Sequence, residues 1–145
     1  MNTAFIEGWG LYAEAVGFDL ELFEDPYERY GHYSYEIWRA VRLVIDTGMH
    51  GLGWTQQEAI DYMMEKTALT EITVKNEVDR YITWPGQALA YKVGMLKFQE
   101  LRQRAQDQLG DGFDLKRFHD VLLDSVGPLY IVEEEINNWI AGGGN

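Results

Sequence analysis

Two glutamates near the N-terminus are the first residues in this chain whose type and spacing could carry chemistry. Glu7 and Glu14 lie seven positions apart, in the stretch Glu-Gly-Trp-Gly-Leu-Tyr-Ala-Glu. Seven positions are two turns of an α-helix, so both carboxylates are expected on one face, with Leu11 between them. Carboxylates in apolar surroundings are costly unless they are paired, hydrogen-bonded or bound to a metal. The pattern allows two interpretations: a polar site, or the solvated edge of a helix.

The three histidines form none of the familiar metal-binding helix motifs. No His-x-x-x-His pair is present, and no Glu lies three positions before His32, His50 or His119. A P-loop and a Gly-x-Ser-x-Gly nucleophile turn are also missing. We expect His32 to be half-exposed in its Tyr-rich segment. His119 is interpreted as a structural residue on a short amphipathic helix.

His50 and Tyr91 are the remaining candidates for proton or oxyanion chemistry. His50 follows Asp46 by four residues in a Gly-rich stretch, and an Asp can orient an imidazole and stabilise its cation. Packing of His50 on Trp54 is the equally weighted alternative. Tyr91 is expected to face inward after a Trp-Pro-Gly turn, either as a hydroxyl donor to an oxyanion or as an ordinary core tyrosine.

Composition and charge bound the function classes. The chain has 145 residues and is 46% hydrophobic, which indicates a single globular domain over residues 1–145. A net charge of -12 argues against nucleic acid and against anionic membrane surfaces as partners. The absence of cysteine excludes disulfides, Cys-ligated zinc, iron–sulfur clusters and thiol catalysis. No apolar run reaches the length of a membrane span, and no signal peptide precedes the first helix.

Hydrophobic periodicity predicts an all-α fold, a helical bundle of about seven helices. No segment alternates with the period of a strand. The helices are expected at residues 3–16 with Gly17 as C-cap, 26–47 with a break near Gly31, after Thr55, between Thr70 and Pro85, at 87–109, after Asp114, and after Pro128. The second helix is expected to bury Ile37, Val41, Val44 and Ile45, and residues 46–54 are expected to form a glycine-shaped loop.

Glycines within the first predicted helix need an explanation. Gly8 and Gly10 each cost about 1 kcal/mol relative to Ala in a helix interior. Two such penalties suggest that another group approaches the backbone closely there. Frayed first turns are the alternative. Arg39 and Arg42 are equally unusual, since they interrupt an otherwise apolar stretch.

Several motifs, in order, resemble one bacterial family. They are Glu-Gly-Trp-Gly-Leu-Tyr-Ala-Glu at position 7, Arg-Leu-Val-Ile-Asp-Thr-Gly-Met-His at 42, Gly-Trp-Thr at 53, Arg-Tyr-Ile-Thr-Trp-Pro-Gly-Gln-Ala-Leu-Ala-Tyr-Lys-Val-Gly at 80 and Phe-Asp-Leu-Lys-Arg-Phe-His-Asp at 113. The chain resembles the bacterial domain-of-unknown-function family eight-eight-five over essentially its whole length. That family is similar to gluzincin zinc metallopeptidases, the carboxypeptidase Taq and thimet-like oligopeptidases.

The resemblance implies a zinc-dependent hydrolase site. In gluzincins a helix with HExxH supplies two His ligands and the general base, and a later Glu completes the metal site. Glu7 would be that ligand, and Glu14 would hold a ligand or a nearby basic group in place. Zinc bound there lowers the pKa of its water to about 7. Tyr91 would stabilise the oxyanion, and the residues expected to line or support the pocket are His50, Asp46, Arg80 and Gln87.

One departure limits what this chain is expected to do alone. HExxH is absent, and in the family it precedes the motif at position 7. The chain therefore resembles the C-terminal part of a larger peptidase, inactive and without tight zinc by itself, whose partners are the missing N-terminal half and a peptide-like substrate. A homodimer through exposed apolar surface is expected as well. Two alternatives stay open: a free-standing non-catalytic binding domain, and a site completed by a second chain. Full-length relatives are often exported.

Overall fold

The computed structural model describes residues 2–144, and this part of the chain is all-helical, as predicted. Its seven α-helices are α1 (Thr3–Asp19), α2 (Pro26–Gly51), α3 (Gln56–Lys66), α4 (Glu71–Thr83), α5 (Ala90–Leu109), α6 (Leu115–Asp124) and α7 (Leu129–Ala141). Short 3-10 turns at Gln87–Leu89 and Gly110–Gly112 precede and follow α5. None of these helices combines the length and apolar character that a membrane crossing needs.

Side-chain caps explain where most helices begin. Asp25 before α2 and Thr55 before α3 each form a reciprocal capping box with the Glu three residues on. Thr70 caps α4 and Asp114 caps α6 through backbone N–H groups of the first turn. The four predicted starts are therefore confirmed, because these signals are local in the chain.

α1 is one turn longer than predicted. It continues to Asp19, so Gly17 lies inside the helix rather than at its C-cap. A Cβ on Gly17 would lie 2.8 Å from the ring of Phe23, which folds back over the helix. Gly17 is therefore needed for a close tertiary contact, not for a left-handed helix end.

α2 runs without interruption for 26 residues. The predicted break at Gly31 and the predicted glycine loop at 46–54 are both wrong, since α2 continues to Gly51. Gly48 lies inside the helix, and the Trp54 indole packs where a side chain at this position would be. His50 consequently lies in the last turn of a helix, not in a loop.

The helices enclose two apolar cores. The first lies among α1, α5, α6 and α7, and the second among α2, α3 and α4 with the turn before α5. α1 packs most extensively along α5. At their crossing, a Cβ on Gly8 would overlap the backbone of Gly94, so the two glycines let the helix axes approach closely.

α2 lies over the seam between the two cores and leaves one side exposed. Val41 and Ile45 are buried as predicted, but Ile37 and Val44 are 44% and 38% exposed. The prediction for the latter two is wrong because the second core lies to one side of α2 only. His32, expected to be half-exposed, is instead buried among aromatic rings.

Candidate functional site

The two glutamates of α1 have different surroundings. Glu7 is partly buried, and no hydrogen bond or ion pair joins its carboxylate to another of residues 2–144. Glu14 is exposed, and its negative charge acts on the guanidinium of Arg39 on α2. Leu11 between them is buried in the first core. The shared helix face therefore carries one unpaired acid and one acid near a basic group.

Two arginines of α2 lie beside Tyr91 of α5 at the seam between the cores. The Arg42 guanidinium lies 4.9 Å from the centre of the Tyr91 ring, and that of Arg39 lies 6.0 Å from it. Trp38 stacks near both guanidiniums, at 4.8 Å from Arg42 and 5.1 Å from Arg39. Tyr91 itself packs against the first core. Cation–π contacts thus hold both cations on aromatic faces.

Glu77 of α4 is the acid at the centre of this region. Its Oε2 accepts from the Tyr81 hydroxyl at 2.6 Å, from Arg80 Nη2 at 2.8 Å and from Arg42 Nη2 at 3.4 Å. Arg80 also donates through Nη1 to Gln87 Oε1 at 3.1 Å. The structure therefore brings the predicted pocket residues Arg80 and Gln87 together, with Glu77 between the arginines.

Burial and charge set the protonation states in this network. Burial opposes ionisation of Glu77, but hydrogen bonds from Arg80 and Tyr81 and the charges of Arg80 and Arg42 lower its pKa. Burial raises the pKa of Tyr81 to about 12, against the charge of Arg42. Glu77 and Arg80 are therefore ionised at neutral pH, while Tyr81 keeps its proton to donate to Glu77.

Arg39 is the least compensated cation of the group. Burial lowers its pKa and the like charge of Arg42 lowers it further, while the charge of Glu14 acts in the opposite direction. Among residues 2–144, its guanidinium makes one hydrogen bond, from Nη1 to the carbonyl of Tyr35, one turn earlier in α2. Its Nε is buried and has no hydrogen-bond partner among the same residues.

Asp46 forms hydrogen bonds with the turn before α5 and does not orient His50. Both of its carboxylate oxygens accept from the backbone N–H of Gly86, at 3.2 Å, and Asp46 is buried. Gly86 has a φ of +80°, the left-handed region that favours glycine. His50 instead places Nε2 3.0 Å from the carbonyl oxygen of Tyr81, to which it donates. The structure does not bring Asp46 and His50 into a hydrogen-bonded pair.

A family model decides which proteins this chain is related to. The model described as "Bacterial protein of unknown function (DUF885)" matches residues 1–136. The chain belongs to the DUF885 family. The family resemblance noted in the sequence is thereby confirmed.

The DUF885 chain is also similar to part of a solved structure. The crystal structure of the putative lipoprotein from Colwellia psychrerythraea matches it with a TM-score of 0.93 and 46% identity. The match covers 97% of this DUF885 chain and 24% of that one, so the chain spans about a quarter of its relative's length. No curated protein matches the sequence.

The acids and histidines of this DUF885 chain do not form a metal site by themselves. Within residues 2–144, no group of three or more His, Asp or Glu side chains is placed to hold a metal ion. A catalytic zinc needs about three protein ligands. Glu7 could bind zinc only as one of several ligands. The described residues of the DUF885 chain do not supply the other ligands by themselves.

Sequence reasoning missed several members of the polar network. Glu77, Tyr81 and Trp38 carry most of its hydrogen bonds, yet the sequence motifs assigned no chemical role to any of them. The signal that could have found them is the pair Arg39 and Arg42 within an apolar stretch. The buried Arg42 and the partly buried Arg39 require acidic and aromatic partners elsewhere in the fold.

Proposed function

We propose that this DUF885 chain is the C-terminal part of a zinc-dependent peptidase, in which Glu7 is the third protein ligand of the zinc. The observation that carries the proposal is the state of Glu7. It is a partly buried carboxylate on a helix packed against a core, yet it lacks a hydrogen-bonding or ionic partner among the described residues. Its carboxylate is therefore free to bind a metal ion whose other ligands would come from outside the described residues.

The size of the solved relative supports a larger site. That chain is about four times as long as the part matched here, which leaves ample room for an HExxH helix elsewhere in the full-length protein. The two His ligands and the general base would come from that helix. Because one carboxylate cannot hold a catalytic zinc, the chain by itself is expected to be inactive.

The side chains around Tyr91 would shape the substrate pocket of the complete enzyme. Tyr91 would donate its hydroxyl to the oxyanion that forms on the attacked carbonyl. Arg80 and Gln87, held together by their hydrogen bond, would line the pocket, with His50 at its edge. Glu14 would keep Arg39 in place, and Asp46 would fix the turn that precedes Tyr91.

Two further features of the complete protein follow from the same proposal. Its substrate would be a peptide, as in the families that the sequence resembles. The description of the solved relative as a putative lipoprotein supports export of the full-length protein. The exposed apolar side of α2 would then contact the rest of the enzyme or a second copy.

The test uses the full-length protein that contains this chain and an HExxH helix. We expect it to bind one zinc per molecule and to hydrolyse peptides. Glu7→Ala should abolish hydrolysis and reduce zinc affinity at least about tenfold, because a protein ligand is lost. The matched control is Glu134→Ala, which removes an exposed acid from α7.

Two outcomes would overturn the proposal. One is stoichiometric zinc binding that Glu7→Ala leaves unchanged. The other is a full-length protein that carries zinc yet cleaves none of a broad panel of peptides, as followed by mass spectrometry.

A further inference from the structure

We propose that Arg39 and Arg42, with Tyr91 beside them, form a binding subsite for the carboxylate of a ligand. The proposal deepens the function proposed above. The statement that the carboxylate belongs to a peptide substrate rests on that function, whereas carboxylate binding by this chain does not require zinc.

The first observation is that both guanidiniums make few hydrogen bonds. Each has five N–H donors. Arg42 is 5% exposed and uses Nη2 for one long bond of 3.4 Å to Glu77. Arg39 uses Nη1 for one bond of 3.1 Å to a backbone carbonyl. The Nε atoms of both are buried and have no hydrogen-bond partner in the described part of the chain, and unmade hydrogen bonds of buried charged groups are costly.

The second observation is that Arg39 lacks an ion-pair partner. Glu77 pairs with Arg42 and with Arg80, but no ion pair joins Arg39 to another of residues 2–144. Glu14 acts on Arg39 only through its charge. A carboxylate is the ligand that such a guanidinium favours.

The third observation is that the cations are held in place before any ligand arrives. Arg39 lies over the rings of Tyr35 and Trp38, at 4.9 and 5.1 Å, and Arg42 lies over Trp38, Tyr81 and Tyr91. Stacking of this kind restricts side-chain rotation, so less conformational entropy is lost on binding. A planar guanidinium with free N–H groups matches the two oxygens of a carboxylate.

Arg39 is the residue that a ligand can reach. Arg42 is almost completely buried, whereas Arg39 is partly exposed and lies close enough to α1 for the charge of Glu14 to act on it. We therefore assign direct hydrogen bonding to Arg39, with Arg42 as a positioning residue whose charge strengthens the site. In the proposed peptidase, the carboxylate bound there would be the free C-terminus of the substrate.

The experiment measures binding to the chain itself by NMR. The Nε–H signals of Arg39 and Arg42 report directly on the two guanidiniums. The probe is N-acetyl-glycylglycine with a free carboxylate, and the comparison is its C-terminal amide. We expect saturable shifts of both signals with the acid, and affinity at least about tenfold weaker for the amide. Arg39→Gln should abolish the binding, and Arg39→Lys should weaken it by about tenfold while preserving the charge.

A matched arginine provides the control. Arg104 is already paired with Glu100 and Glu133 on the surface, so Arg104→Gln should leave the affinity unchanged. The proposal is overturned if acid and amide bind equally, or if Arg104→Gln weakens binding as much as Arg39→Gln. Binding of the acid by this chain but not by the full-length protein would overturn the substrate assignment, because another segment would then supply the carboxylate.

The result is separable from the zinc test. Loss of zinc binding in the full-length protein would leave the NMR titration unaffected. Conversely, a zinc peptidase that cleaves peptides with free and amidated C-termini at equal kcat/KM would retain the proposed function and reject this subsite.

Discussion

Carboxylates of the same residue type differ in their roles in this chain because of what they contact. Glu77 accepts hydrogen bonds from three side chains on two helices. Glu7 has no such partners among the described residues. Replacing an acid with structural contacts removes those contacts and lowers the stability of the protein. Replacing an acid that serves only to bind a ligand changes the stability of the ligand-free protein very little. This difference can be measured.

We predict that Glu77→Gln lowers the free energy of unfolding by about 2 kcal/mol, because Arg42 and Arg80 lose their ionised partner. Glu7→Gln is expected to change it by less than about 0.5 kcal/mol. Urea unfolding of both variants and of the parent chain would measure the difference. A loss at Glu7 as large as that at Glu77 would show that Glu7 is structural, and would remove the observation that carries the proposed function.

His119 makes stability depend on pH. Its Nε2 lies 2.9 Å from the Tyr12 hydroxyl, and burial, then the charge of Arg102, lower its pKa below the ordinary 6.5. The unfolded chain therefore takes up this proton more readily than the folded chain. The stabilising contribution is complete above pH 6.5 and is lost as pH falls from 6.5 through the lowered pKa.

We therefore predict that the unfolding free energy of the parent chain declines between pH 7.5 and pH 5.5. His119→Gln, which can still accept from Tyr12, should lack that part of the decline. Denaturant unfolding at a series of pH values would measure both. Parallel curves for parent and variant in this window would contradict the assignment to His119.

At the scale of elements, the contact between α1 and α5 depends on close approach of the two backbones. Gly8 meets Gly94 at the crossing, and a Cβ at either position would overlap the facing helix. Gly10, two residues later on the opposite, exposed side of α1, has no atoms within 4 Å of the place where its Cβ would be. Helix packing thus explains why Gly8 and Gly94 are glycines, but it does not explain Gly10.

We predict opposite effects for two otherwise identical substitutions. Gly8→Ala should destabilise the chain by about 1–3 kcal/mol, because the overlap is with backbone that cannot rotate away. Gly10→Ala should stabilise it by about 0.5–1 kcal/mol through helix propensity. Thermal unfolding of both variants provides the comparison. If both substitutions destabilised the chain equally, the prediction would be wrong, because Gly10 would then have a close neighbour that the structure does not show.

At the scale of the whole molecule, one side of α2 exposes an apolar stripe. Tyr33, Ile37 and Val44 lie on this side and are 56%, 44% and 38% exposed, with Ala40 between them. Contiguous exposed apolar residues mark contact surfaces. The matched part is about a quarter of the solved relative's length, and we propose that the rest of the full-length protein, or a second copy of this chain, covers this stripe.

We predict that the chain alone self-associates through this stripe. The double variant Ile37→Lys, Val44→Lys should be monomeric at concentrations at which the parent chain forms dimers, with unfolding free energy little changed. Ile72→Lys, at an exposed position of α4, is the control and should leave association unaltered. Sedimentation at several protein concentrations tests this, and a parent chain that stays monomeric throughout would contradict it.

The sequence by itself determined the local features of this protein. The capping box at Thr55 and the side-chain caps at Thr70 and Asp114 act within one helical turn. The starts of these helices could therefore be predicted from neighbouring residues. The all-α class followed from periodicity, and the family followed from motifs in order. The candidate site was predicted as Glu7, Tyr91 and His50 with the supporting residues Glu14, Asp46, Arg80 and Gln87, but without Glu77, Tyr81 or Trp38.

Only the tertiary structure decided which distant groups meet. Gly17 and Gly48 signalled a helix end and a loop in the sequence, but the rings of Phe23 and Trp54 occupy the space beside them and the helices continue. Asp46 binds the Gly86 N–H rather than His50. Each outcome depends on packing between segments far apart in the chain, which local propensity and spacing do not encode.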